Sequence, residues 1–209
     1  MRAQPISPEL LVGHVAEAVA RLPKERRAAV AIDGAPPTHT DKLAAGLVAE
    51  LKVRGRAAVQ VATRDYLRPA SLRYEFGRED PDLFYTEWLD LNAIEREVLG
   101  PIRQGGSGRV LPRLWDADTD RAHRAQYVSV ESGGVVVVEG SLLIGAGLGF
   151  DLIVHLSMSA PALERRIAAE DAWTLPAYQR YDEEQDPIST ADIAVRCDDP
   201  RHPALVSDR

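Results

Sequence analysis

The segment from residue 29 to residue 42 has the layout of a phosphate-binding loop but a different set of side chains. An apolar run ends in Asp-Gly, a short loop follows, and an amphipathic pattern then begins. A phosphate-binding loop reads G-x-x-x-x-G-K-[ST]. Gly34 stands at the first glycine of that pattern. The second glycine, the lysine and the Ser/Thr are replaced by His39, Thr40 and Asp41.

Each replacement removes a property that binds polyphosphate. A histidine Cβ obstructs the close approach of backbone N–H groups that glycine permits. Thr40 has no charge with which to neutralise phosphate, and Asp41 brings negative charge to a helix N-terminus. The sequence therefore predicts a phosphate site that is sterically blocked and electrostatically reversed. A plain strand-to-helix connection is the alternative interpretation of this loop.

Composition limits the classes of partner. The 209 residues suit a single domain, 1–209, with a loosely ordered tail at 201–209. A net charge of −7 does not favour nucleic-acid binding, and no apolar run approaches the ~20 residues of a membrane helix. Cys197 is the one cysteine and the histidines are dispersed, so no metal site is expected. We predict a cytoplasmic protein that binds neither nucleic acid nor a membrane.

Strand-like and helix-like segments alternate along the chain. The predicted helices cover 8–22, 41–54, 84–99, 160–170 and 175–184, and the predicted strands cover 27–33, 57–63, 135–138, 151–156 and 193–196. Two edge strands are predicted at 109–115 and 126–131. This alternation indicates an α/β fold with a mostly parallel sheet and helices on both faces. Ligands on such sheets bind beyond the carboxyl ends of the strands.

A series of landmarks in order resembles the uridine kinase family of P-loop nucleoside kinases over roughly residues 8–200. The landmarks are Ala-Ile-Asp-Gly before the loop, Asp65–Pro69, Phe84-Tyr85, Trp88–Asp90, Val135–Gly140, Leu163–Arg166 and Ala191–Val195. The resemblance implies a P-loop NTPase-like fold. It also implies that ATP phosphates bind in the loop and that a nucleoside lies against the segment after the second strand. An aspartate of that segment would be the general base.

The expected base is displaced by one residue. The family pattern Asp-x-[Phe/Tyr], aligned on Tyr66, places Arg64 at the base and Asp65 one position later. Side chains one residue apart on an extended segment point to opposite faces, although a local bulge would restore Asp65 as a candidate base. The resemblance places Glu139 near the metal or its waters. A loop or helix cap is the alternative for Glu139.

The resemblance also supplies candidate binding residues. The candidates for the nucleotide are Asp33, Gly34, Thr38, Thr40, Lys42, Arg165 and Arg166. The candidates for the substrate are Tyr66, Arg68, Arg73, Tyr74 and Phe84. Four of them belong to a basic and aromatic cluster after the second strand that could bind an anionic or aromatic small ligand, and Arg78 and Phe76 complete this cluster. The family's Arg-Arg-x-x-Arg-Asp lid lacks its third arginine, because Ala169 stands there. Surface or packing roles remain the alternative for each of these residues.

Three functions follow as hypotheses. The first is a uridine kinase-like pseudokinase with a degenerate Walker A loop, which binds a nucleoside-like small molecule or regulates a partner. The second is an active ATP-dependent nucleoside kinase that uses Asp65 as the base and Glu139 to hold Mg²⁺ through water. Lys42, Arg165 and Arg166 would then neutralise phosphate, and ATP and Mg²⁺ are expected only in this case. The third is a homo-oligomeric structural component.

Overall fold

The computed structural model describes residues 2–207. The strands, in chain order, are β1 (Arg2–Pro5), β2 (Ala28–Gly34), β3 (Ala58–Ala62), β4 (Arg109–Val110), β5 (Trp115–Asp116), β6 (Arg121–Ala122), β7 (Val128–Ser129), β8 (Val135–Gly140), β9 (Leu152–Ser157), β10 (Ile193–Arg196) and β11 (Ala204–Ser207). The helices are α1 (Pro8–Ala20), α2 (Thr40–Val53), α3 (Ala70–Arg73), α4 (Pro81–Thr86), α5 (Leu91–Ile94), α6 (Gly100–Ile102), α7 (Ala160–Arg166), α8 (Leu175–Gln185) and α9 (Pro187–Thr190). A π-helical turn, Glu95–Leu99, joins α5 to α6.

The main sheet has seven strands in the order β1-β11-β10-β9-β2-β8-β3. The five strands from β10 to β3 run parallel, whereas β11 and β1 pair antiparallel at one edge. β2 lies between β8 and β9, which explains why every one of its residues is buried. The predicted mostly parallel sheet is confirmed.

Alternate residues of β2 face two separate apolar clusters. Val30 and Ile32 pack with the buried faces of α1 and α2. Ala29 and Ala31 pack on the other side, against buried residues of the 93–102 segment. A central parallel strand reads as continuously apolar because both of its faces are covered. Helices therefore lie on both faces, as predicted.

The predicted helix at 84–99 is wrong in its middle. The chain leaves the helix after Thr86 and resumes it at Leu91. Between them, the Arg68 N–H donates to the Trp88 carbonyl at 2.8 Å, and the Asp90 N–H donates to the Tyr66 carbonyl at 2.9 Å. These bonds to a distant segment replace helical ones.

Both edges of the fold also differ from the prediction. The tail at 201–209 is predicted to be loosely ordered, but Ala204–Ser207 forms β11 between β10 and β1. Leu205 packs against the core, which fixes the strand; residues 208 and 209 lie outside the described part.

The segments 109–115 and 126–131 are not edge strands of the main sheet. They contribute β4 and β7 to a separate two-stranded ribbon, and β5 pairs with β6.

No helix among residues 2–207 combines the length and apolar character needed to cross a membrane.

Candidate functional site

A cavity of about 740 Å³ opens beyond the carboxyl ends of β3 and β8. This is the edge where ligands bind in open parallel sheets. Its polar wall consists of Thr40, Asp41, Gln60, Thr63, Arg64, Asp65, Thr86, Arg113, Glu139 and Ser141. Its aromatic wall consists of Phe84, Tyr85, Trp88 and Tyr178. A cavity of this size, with a mostly apolar lining and a few polar groups, suits a small molecule.

Glu139 forms the polar floor of the cavity, at the end of β8. The residue is only 6% exposed. The Thr40 hydroxyl donates to Oε2 at 2.8 Å, and the Gln60 amide donates to Oε1 at 3.5 Å. Burial raises the pKa of Glu139 above its ordinary value, which the two hydrogen bonds oppose. The nearby Asp41 carboxylate raises this pKa further, and the Arg64 guanidinium lowers it.

The shifted pKa of Glu139 predicts a pH-dependent stability. The folded protein holds the Glu139 proton more tightly than the unfolded chain, so this contribution to stability is lost as pH rises above the ordinary value of 4.5. We expect Glu139→Gln to gain stability relative to wild type as pH rises from about 4 to about 7. Urea denaturation across that range measures the difference. Glu164→Gln, at an exposed position of α7, is the control, and a difference that is flat or shrinks with pH contradicts the assignment.

The loop from Gly34 to Thr40 is closed on itself. Thr38 donates to the Ala35 carbonyl through its N–H at 2.9 Å and its hydroxyl at 2.7 Å, and the His39 N–H donates to the Pro36 carbonyl at 3.1 Å. His39 has left-handed backbone angles, with φ 60° and ψ 51°. A Cβ built on Gly34 would lie 2.6 Å from the Thr38 hydroxyl oxygen. The Thr38 side chain therefore fills the concave side of the loop.

Asp33 is buried beneath the loop and does not line the cavity. Its Oδ2 accepts from the Tyr181 hydroxyl at 2.9 Å and lies 2.7 Å from His155 Nδ1. Its Oδ1 accepts from the Leu143 N–H at 2.9 Å. An ionised carboxylate only accepts hydrogen bonds, so His155 donates from Nδ1. Asp33 thus joins β2, β9, α8 and the loop after β8.

The segment after β3 does not have the extended conformation that was expected to turn Asp65 away from the site. Residues 63–66 form a 3₁₀ turn and not an extended segment. Consecutive side chains therefore need not face opposite ways, and Arg64 and Asp65 both line the cavity. Asp65 lies 3.4 Å from Arg113 Nε and 3.8 Å from His123 Nε2.

Of the predicted substrate residues, Phe84 lines the cavity. The other four have different surroundings. Tyr66 is fully buried, and its hydroxyl donates to the Leu111 carbonyl, so its prediction as a substrate contact is wrong. Arg68 pairs with Glu87. Arg73 is 3% exposed, donates to the Arg68 carbonyl at 2.7 Å and lies over the Tyr74 ring.

The predicted phosphate-binding cations lie away from the cavity. Lys42, Arg165 and Arg166 are exposed, and none of them lines it. Arg166 donates to the Asp198 carbonyl at 2.8 Å. Of the predicted nucleotide residues, Thr40 lines the cavity, whereas Gly34 and Thr38 belong to the closed loop.

Several cavity residues were not predicted as ligand contacts. Gln60 sits on a strand whose pattern reads as core, and Arg113 was assigned to an edge strand. Trp88 belongs to one of the family landmarks, and Tyr178 lies on the predicted helix 175–184. Their aromatic rings enclose Phe84, with centroids 5.3 Å and 5.8 Å from its ring. Sequence carries no signal for this convergence, since it depends on the break after Thr86.

Among the described residues, no group of three or more His, Cys, Asp or Glu side chains is arranged to hold a metal ion.

Comparisons with known proteins support the fold. No protein-family model matches the sequence, and no curated protein does. Solved structures do match. One is described as a "possible uridine kinase" from Bacillus stearothermophilus, with a TM-score of 0.69 and 19% identity over 88% of this chain and 96% of that one. Another is a "putative fructose transport system kinase" from Silicibacter sp. TM1040, with a TM-score of 0.60 and 21% identity over 87% and 91%. The chain therefore has the fold of uridine kinase-like P-loop kinases.

Proposed function

We propose that this protein is a small-molecule-binding relative of uridine kinase in which phosphoryl transfer is weak or lost. The observation that carries the proposal is the contrast between an open aromatic cavity and the loop from Gly34 to Thr40, which is closed by its own hydrogen bonds. The cavity offers Phe84, Trp88 and Tyr178 to an aromatic or sugar ring. The loop offers no comparable space for phosphate.

The residues of the loop do not fit a triphosphate. A phosphate-binding loop aims free backbone N–H groups at the phosphate oxygens. Here the N–H groups of Thr38 and His39 bond to carbonyls of the same loop. Thr40, at the position of the family's lysine, donates to Glu139. Asp41 adds negative charge on the cavity wall.

An active kinase is the second candidate, and one observation favours it. Asp65, the predicted base, and Glu139, predicted to hold Mg²⁺ through water, line the same cavity. A base must lie within reach of the proton that it abstracts, and this placement satisfies that need for a ligand in the cavity. The two candidates differ in whether Mg²⁺ and ATP are required.

Calorimetry and thermal denaturation separate the candidates. We expect uridine or a related nucleoside to stabilise the protein without ATP, by about 2.7 kcal/mol at 100 times Kd. Phe84→Ala is expected to remove this effect, because Phe84 lines the cavity and its ring packs between Trp88 and Tyr178. Phe76→Ala, whose ring is 73% exposed, should keep it. Sub-millimolar binding of ATP with Mg²⁺, followed by phosphoryl transfer, would establish the kinase instead.

A further inference from the structure

Two guanidinium groups line the candidate cavity, those of Arg64 and Arg113. Arg64 is exposed on the cavity wall and has no carboxylate within ion-pair distance among the residues described here. It occupies the position that the family resemblance assigns to the catalytic base. An arginine cannot accept a proton at neutral pH, but it binds carboxylates and phosphates through its planar set of donors.

Arg113 also has guanidinium N–H donors that are available to an anion. It lines the cavity with a side chain that is 63% exposed. Its Nε lies 3.4 Å from Asp65 Oδ2, which is longer than a well-formed N–H···O bond. Arginine has five N–H donors, so this single long contact leaves most of them for a ligand.

Among the described residues, no carboxylate that lines the cavity lies within ion-pair distance of Arg64. Glu139 accepts hydrogen bonds from the Thr40 hydroxyl and the Gln60 amide. Asp65 faces Arg113 and His123. Asp41 is exposed at the start of α2. The Arg64 guanidinium, at the position that the resemblance assigns to the base, is therefore available to an anionic ligand.

We propose that the cavity binds a small molecule with an oxyanion, a carboxylate or a phosphate monoester, which pairs with Arg64 and Arg113 while its apolar or aromatic body lies against Phe84 and Trp88. This inference rests on the proposed binding function of the cavity and assigns the charge of the ligand. The phosphate-binding loop plays no part in it, since the two arginines come from the turn after β3 and from the segment before β5. In this chain the residue at the base position is a binding residue.

The test compares ligands that differ only in the anion. Uridine and uridine 5′-monophosphate are titrated into the full chain at low ionic strength, with wild type, Arg64→Gln and Arg21→Gln. Arg21 is exposed at the end of α1 and does not line the cavity. Hydrogen bonds to a charged group are stronger than neutral ones, so we expect the monophosphate to bind roughly 10-fold or more tightly than uridine. Arg64→Gln should weaken this preference, because only Arg113 then remains to pair with the phosphate, and Arg21→Gln should retain it.

Simple anions make the test independent of the nucleoside. Thermal midpoints are measured in sodium phosphate, sodium acetate and sodium chloride at equal ionic strength. Protection of wild type beyond chloride, lost in Arg64→Gln, supports the inference. Acetate acting as well as phosphate assigns a carboxylate, and phosphate acting alone assigns a phosphate monoester.

The outcomes separate this inference from the proposed function. Equal binding of uridine and its monophosphate, with no protection beyond chloride, overturns the oxyanion site and leaves the binding function standing. Phosphate protection that depends on Arg64, without nucleoside binding, supports the oxyanion site and removes the nucleoside from the proposed function. An absence of every effect overturns both.

Discussion

Replacing Asp33 with alanine is expected to lower the free energy of unfolding by about 3–5 kcal/mol, because the change leaves buried donors without an acceptor. His155 Nδ1, the Tyr181 hydroxyl and the Leu143 N–H all point at this carboxylate. Asp33 is fully buried, so solvent water does not reach these donors to accept their hydrogen bonds in its place. The loss should appear as a lower denaturation midpoint in urea, followed by circular dichroism.

Two further variants define the origin of the Asp33 effect. Asp33→Asn keeps the shape and one acceptor oxygen, so its loss should be smaller than that of alanine but clearly measurable. Asp118→Ala, at an exposed position, should change stability by less than about 0.5 kcal/mol. If Asp33→Ala loses no more than Asp118→Ala, then the carboxylate does not hold α8 and the loop after β8 in place.

The main elements of the fold could be predicted because their signals are local. Ser7 caps α1 by accepting from the Leu10 N–H at 3.3 Å, and Pro8 occupies the first turn, where its missing N–H costs nothing. The apolar run at the start of β8 has the composition of a doubly covered strand. β1 and β11 were missed because each is short and because they pair with each other from opposite ends of the chain.

The candidate site was predictable only in part. Glu139 and Asp65 stand at strand ends, and topology alone brings strand ends together. Tyr66 was misassigned because an aromatic residue beside polar neighbours looks the same in sequence whether it faces a ligand or the core. Its hydroxyl finds a backbone carbonyl across the fold, at Leu111. The role of Arg113 depends on the β5–β6 hairpin, whose position no local pattern specifies.

Gly140→Ala is expected to destabilise the protein by about 3 kcal/mol, through backbone strain and a steric clash together. Gly140 has φ +148°, a conformation that side chains rarely adopt, and it lines the cavity next to Glu139. An added Cβ would overlap the Thr63 hydroxyl oxygen and lie 2.9 Å from the Thr63 Cβ. Gly147→Ala is the matched control. Gly147 has φ +74° with no atom near the added Cβ, so only strain of about 1–2 kcal/mol is expected there.

A double mutant separates the clash from the strain. Thr63→Ala removes the hydroxyl and methyl groups that the new Cβ would meet, so Gly140→Ala combined with Thr63→Ala should recover about 1 kcal/mol relative to the sum of the single changes. Strictly additive losses would mean that Thr63 does not limit the space at Gly140. The result bears on the site, because Thr63 begins the turn that carries Arg64 and Asp65. A turn displaced by the clash would carry both cavity residues with it, so ligand binding should fall in Gly140→Ala and return in part in the double mutant.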